Sequence, residues 1–306
     1  MSRLKQRGYV PPRDGVVLTT GDSRLFDLAA RLWSEGDPGP SVLEFRLDVL
    51  PGGAPPAEIE REVAWQHSER AYRVTVPGHL DVVIDLVAAR VGGTVSSGLL
   101  DAEPALAARC ALEAPAAVLL SRRGWQVLHA GAVTGPRGAA VIRGRAGSGK
   151  STLVGAAFAA GFAVLADESL LVARDDARDL SAAVRDLTLR PDAAALLGLA
   201  PRTLFAFTGG ETKRRLDLFA ESRPPCRRAS LAAPLLLGAR DATPAALVPL
   251  SEDEFLSAFR AGAIPEERTA GNPDVVARSW ARTGGFRLDG ARDLPGAVAL
   301  LASLVR

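Results

Sequence analysis

Residues 139–153 read A-A-V-I-R-G-R-A-G-S-G-K-S-T-L, an apolar run, a glycine-rich turn and the start of a helical pattern. Within it Gly144, Arg145, Ala146, Gly147, Ser148, Gly149, Lys150 and Ser151 satisfy G-x-x-x-x-G-K-[ST], and Thr152 follows. The glycines let the backbone curl so that successive N–H groups point inward at phosphate oxygens, and a helix opening near Lys150 adds the positive end of its dipole. Lys150 supplies a mobile point charge for the β and γ phosphates, and Ser151 a hydroxyl for Mg²⁺. Only three lysines occur in the chain, so a chance match is expected on the order of 0.003 times. The stretch predicts binding of a nucleoside triphosphate, ATP above all. No N-K-x-D sequence for reading guanine occurs anywhere.

Working outward, Lys150 to Ala160 has a helical pattern, Gly161 suits a C-cap, and Phe162 to Ala166 is an apolar strand ending at Asp167-Glu168. Upstream, Trp125 to Val133 and Ala139 to Ile142 read as two strands around the turn T-G-P-R-G. A strand, loop, helix, strand unit results, and ligands of such α/β units sit at the carboxyl ends of the strands, where Asp167 and Glu168 emerge. In motor and transporter ATPases the corresponding acid lies much farther along the chain. An acid this close to the loop points to a kinase, with Asp167 and Glu168 facing the phosphates.

The rest of the chain divides at about residue 122. Val16 to Thr20 and Val42 to Val49 read as strands with Asp22 to Trp33 a helix between them. Ala71 to Val76 and His79 to Leu86 read as strands joined at Pro77-Gly78. Glu103 to Arg122 is helical, with Pro104 in its first turn and a bend expected at Pro115. Residues 1–122 are therefore a smaller α/β or α+β domain, suited to substrate recognition, and residues 123–306 carry the phosphate site. Further strands are expected at Leu187–Leu189, Arg215–Leu218, Pro234–Leu237 and Ala246–Pro249. Helices are expected at Ser251–Phe259, opened by a Ser251/Glu254 capping box, and at Leu294–Leu304.

Composition sets the outer bounds. Hydrophobic residues make up 47% and charged residues 24% of the 306, as in folded globular proteins. The net charge is +2 with bases scattered among acids, which argues against nucleic acid as a partner. Two cysteines, Cys110 and Cys226, make neither a metal-ligand spacing nor a disulfide framework. With no signal-like start and no run of about 18 uncharged apolar residues, a cytoplasmic protein without a membrane partner is expected. Association into a homo-oligomer is left open.

The runs L-H-A-G-A-V, G-R-A-G-S-G-K-S-T-L and G-F-A-V-L-A-D-E together resemble the catalytic domain of the HPr kinase/phosphorylase family and the serine-kinase-like proteins related to it. The likeness covers residues 123–306 and extends to the front half of the related proteins. It implies an α/β P-loop kinase domain folded like phosphoenolpyruvate carboxykinase, in which the loop carries ATP and Asp167 activates a serine hydroxyl of a peptide or protein acceptor. It places His129 beside the phosphates, and Lys213 or Arg214, in the run Glu211 to Arg215, against the transferring group. Where family kinases carry two adjacent aspartates, this chain has Asp167-Glu168, so the resemblance implies that Glu168 joins Ser151 in holding Mg²⁺ while Asp167 orients or deprotonates the acceptor. A small-molecule kinase and a non-catalytic ATP-binding module are the alternatives.

Overall fold

The computed structural model describes residues 4–10, 15–183, 186–199, 203–207, 213–217, 226–239, 241, 244–264, 267–268 and 271–306; of residues 10, 34, 186, 203–207 and 213–217 it describes the backbone. The chain is mixed α/β. It forms two compact units, one of Met1–Arg123 with Thr203–Arg214, the other of Gly124–Arg202 with Arg215–Arg306.

The first unit is built on a mixed sheet. Its strands are β1 (Lys5–Val10), β2 (Gly15–Thr20), β3 (Ser34–Glu35), β4 (Val42–Leu50), β5 (Ala64–His67), β6 (Ala71–Val76), β7 (Leu80–Asp85) and β8 (Arg90–Ser96), in the order β3-β1-β2-β4-β8-β7-β6-β5. The alternation of V-L-E-F-R-L-D-V buries Leu43, Phe45 and Leu47 and exposes Glu44, Arg46 and Asp48. Helix α1 (Ser23–Leu32) is capped by Asp22, whose carboxylate accepts from the Arg24 N–H, and it buries Leu25, Phe26, Leu28, Ala29 and Leu32. A short helix, α2 (Ser97–Ala102), leads into α3 (Pro104–Arg122).

At Pro115 the sequence predicts a bend, and the structure has a π segment, Arg109–Glu113, directly upstream. A proline has no N–H and its ring crowds the carbonyl four residues back; the wider turn gives that carbonyl room. Helix α3 is long and apolar enough to cross a bilayer, but 67% of its apolar window is buried inside the protein, so packing accounts for its composition.

The second unit centres on strands β9 (Trp125–Leu128), β10 (Gly131–Gly135), β11 (Gly138–Arg143), β12 (Ala163–Ala166), β13 (Leu170–Ala173), β14 (Asp179–Ala182) and β15 (Asp186–Leu189). After the strands β16 (Thr203–Phe207) and β17 (Lys213–Asp217) come β18 (Arg228–Leu237), β19 (Ala246–Leu250) and β20 (Gly285–Asp289). The path β12-β10-β11-β18-β14-β13-β9 bends at β18, whose start pairs with β14 while its later residues lie between β11 and β20. The single strand expected over Trp125–Val133 is instead two, because β9 pairs with β13 and β10 pairs with β11 and β12. His129 and Ala130 are the step between them.

Side-chain alternation along β11 divides the core. Ala140 and Ile142 face α4 (Lys150–Ala159) and the last helix, Leu294–Val305, through Leu153, Val154, Ala157, Leu301 and Val305. Ala139 and Val141 face the helices Glu252–Ala261 and Pro273–Thr283 through Phe255, Phe259, Val276 and Trp280. The predicted capping box of Ser251 and Glu254 opens the first of these helices.

Candidate functional site

Topology brings the motif residues to one edge. Strand β10 runs antiparallel to both β11 and β12, so β11 and β12 point the same way, and β18 and β20 run parallel with β11. Their carboxyl ends share an edge with the start of β10. The Gly144–Gly149 turn leaves β11 there, Asp167 and Glu168 leave β12, and the His129-Ala130 step enters β10.

The turn is shaped by its glycines. Gly147 and Gly149 have φ of 76° and 98°, values L side chains rarely adopt. At Gly144 a Cβ would meet Ser148 Oγ at 2.6 Å, so only glycine lets the turn close over that serine. The Lys150 ammonium donates to the carbonyls of Gly144 (2.9 Å) and Arg145 (3.2 Å) and is buried. Arg145, Ala146 and Gly147 are exposed; Ser151 and Thr152 are half-buried in the first turn of α4. Gly149 caps α4 with no side-chain hydrogen bond, and that first turn holds no acidic residue. Elsewhere α1 and the helices Glu252–Ala261, Pro273–Thr283 and Leu294–Val305 each have a capping side chain. At the N-terminus of α4, then, no side chain of its own first turn offsets the positive end of the dipole.

Asp167 is 2% exposed, and its Oδ2 accepts from the Thr188 N–H at 2.9 Å. Its Oδ1 lies 3.8 Å from where a Gly131 Cβ would be, a position that the Val154 methyl of α4 also crowds at 2.5 Å. Glycine at 131 therefore makes room for the Val154 side chain of α4, with the carboxylate in ordinary contact beside it. Glu168 has φ of 73°, a left-handed backbone that costs about 1 kcal/mol for a side chain of its kind. That twist presents its carbonyl to His129, whose Nδ1 donates to it at 3.0 Å. With Nδ1 carrying the proton, Nε2 is the lone-pair nitrogen of the neutral ring. Burial, reinforced by the Lys150 ammonium, holds the His129 pKa below its usual 6.5, although Glu168 and Glu267 pull the other way.

Two partners escape sequence reasoning. Residue 143 continues the face of β11 set by Ala139 and Val141, so the Arg143 guanidinium is buried 3.9 Å from the Phe259 ring centroid. There it makes a bidentate pair with Glu267, at 2.7 and 3.0 Å, with both side chains 1% exposed. Glu267 Oε1 also accepts the backbone N–H of His129, and the Glu267 carbonyl accepts from Gln126 Nε2 at 3.0 Å. The only sequence signal for this is a charge, Arg143, at an inward position of an apolar strand; nothing local marks Glu267.

Lys213 and Arg214 open β17, in the part of the chain that groups with the first unit, and their side chains lie outside the description, as does Glu211 altogether. The structure brings His129, the Gly144–Ser151 turn, Asp167 and Glu168 to one edge.

The chain matches no family model and no curated protein. Chemically the edge offers a glycine-rich turn at a helix N-terminus, a buried lysine, oxygen donors in Ser151, Asp167 and Glu168, and an imidazole whose pKa is held low. Among the described residues no group of three or more His, Cys, Asp or Glu could hold a metal by itself. A hydroxyl and one or two carboxylates suit Mg²⁺, which keeps waters and takes phosphate oxygens for the rest of its shell.

Proposed function

We propose that the chain is an ATP-dependent kinase that transfers the γ-phosphoryl group to a hydroxyl, that of a serine in a peptide or protein, with its second unit a P-loop kinase domain of the HPr kinase and phosphoenolpyruvate carboxykinase type. The observation that carries this is the shared edge, where the Gly144–Ser151 turn and Lys150 leave β11 while Asp167 and Glu168 leave β12, with Glu168 fastened to His129.

In this account the loop amides and Lys150, released from the Gly144 and Arg145 carbonyls, bind the β and γ phosphates. Ser151 and Glu168 would hold Mg²⁺, whose charge offsets that of the phosphates. The acceptor oxygen attacks the γ-phosphorus, the bond to the bridging oxygen breaks, ADP leaves, and the hydroxyl proton passes to Asp167. Neutral His129 adds a polar group without placing a second cation beside Lys150. Catalysis is positioning and electrostatics.

The burial of Asp167 and its hydrogen bond from Thr188 favour a second reading, in which the acid is structural and the protein an ATP-binding module. Asp167→Asn separates the two, because Asn keeps an oxygen for Thr188 and loses the base. The kinase reading expects ATP affinity within a few-fold of the parent and ATP turnover lowered by about 100-fold or more. Calorimetry and single-turnover hydrolysis measure both; parental turnover in the variant removes Asp167 as the base, and tight binding without turnover in either protein supports the module.

A further inference from the structure

The Arg143–Glu267 pair stands apart from every group given a role above. Both side chains are 1% exposed, and the pair joins the last residue of β11, next to Gly144, to a residue 124 positions away. A buried ion pair adds little to stability over an apolar pair of similar size, so its presence needs another account. Glu267 has one: besides both guanidinium nitrogens it takes the backbone N–H of His129. That N–H lies in the break between β9 and β10, where no ladder partner serves it. One carboxylate therefore ties the base of the phosphate turn to the histidine that in turn holds the Glu168 carbonyl.

We propose that Glu267 is a positioning residue for phosphoryl transfer, acting through the His129 backbone to hold the His129–Glu168 side of the edge in register with the Gly144–Ser151 turn. This rests on the kinase reading for its catalytic consequence, though not for the hydrogen bond itself. It assigns Glu267, which belongs to no motif, to the site's supporting structure. It also predicts that disturbing Glu267 alters the chemical step more than nucleotide binding, since the turn's own amides and Lys150 bind phosphate.

The test compares two double variants of the full chain. Arg143→Met with Glu267→Gln removes both charges and keeps an oxygen facing the His129 N–H; Arg143→Met with Glu267→Met removes the oxygen too. Should the latter not fold, Arg143→Met with Glu267→Asn replaces it, one methylene short of His129. The Gln variant is expected to keep kcat for ATP hydrolysis within about threefold of the parent. The variant without the acceptor should lose about tenfold or more in kcat, with KM for ATP within about threefold. Hydrogen exchange of the His129 amide should be slow in the parent and the Gln variant and at least about tenfold faster in the other. Equal exchange and equal kcat in the two double variants overturns the proposal. If the parent turns over no ATP, the kinase reading fails, and the exchange rates still decide whether Glu267 holds His129.

Discussion

The two units treat charge in opposite ways. Among the described residues of Met1–Arg123, the buried polar side chains are Thr20, Ser96 and Ser121, all neutral, and ion pairs such as Arg90–Glu44 and Arg73–Asp81 lie exposed on the sheet. The second unit buries Arg143, Lys150, Asp167, Asp179 and Glu267. Asp179 serves β18 through Arg228, while the other four lie at or hydrogen-bond to the edge where β11 and β12 end. Burying a charge costs several kcal/mol unless it is paired and hydrogen-bonded. The first unit is thus a sheet whose stability comes from apolar packing, and the second accepts an expense at one edge that stability alone would not select.

That contrast can be broken experimentally. The largest effect is expected for Glu267→Leu, which leaves the Arg143 guanidinium buried without a partner; denaturant unfolding should show a loss of about 3–5 kcal/mol. A loss under about 1 kcal/mol would mean that the interior around Arg143 admits water and that the contrast is false.

A smaller effect belongs to His129. Its pKa is held below 6.5 in the folded chain, so the unfolded chain binds the proton more readily. Folding stability from this group is therefore full above 6.5 and falls as pH drops through the depressed folded value. Proton NMR of the imidazole should give a midpoint below 6.5, and one at or above it would contradict the burial and the Lys150 contribution. The smallest effect is expected in the first unit: Arg90→Ala, breaking an exposed pair, should change unfolding stability by about 0.5 kcal/mol or less. A cost matching that of Glu267→Leu would erase the distinction.

The same contrast explains what could be seen in the sequence. Local chemistry was legible: the glycine-rich turn from Gly144 into α4, the Ser251 capping box, the Gly161 end of α4 and the alternation of β4 all follow from neighbours a few residues apart. At Gly161 the Phe162 N–H reaches the Ala157 carbonyl and the Gly161 N–H that of Phe158, the motif its positive φ allows. Strand β8 was hidden because R-V-G-G-T-V-S carries two glycines, yet Gly93 is required where a Cβ would come within 2.1 Å of the Asp81 carbonyl oxygen. The break at His129 was hidden because the apolar run continues across it while the strand changes partners. Strands β13 and β14 are only four residues each, too short for a clear period, although Asp175 and Asp176 between them make the turn. Glu267 had no signal at all, since its meaning lies in Arg143 and His129, far away in the chain.

The claim on which the rest depends is that the edge between β11 and α4 binds the phosphates of ATP. Isothermal titration of the parent and of Lys150→Ala with ATP and Mg²⁺ tests it most directly. Lys150 is buried and donates to two loop carbonyls, so thermal unfolding of the variant is recorded alongside to show that it is folded at the titration temperature. The account predicts binding by the parent and an affinity lowered by about 10- to 100-fold or lost in Lys150→Ala, as expected when a charged hydrogen-bond donor to phosphate is removed. Equal affinity in the two folded proteins, or no binding by the parent, would contradict it.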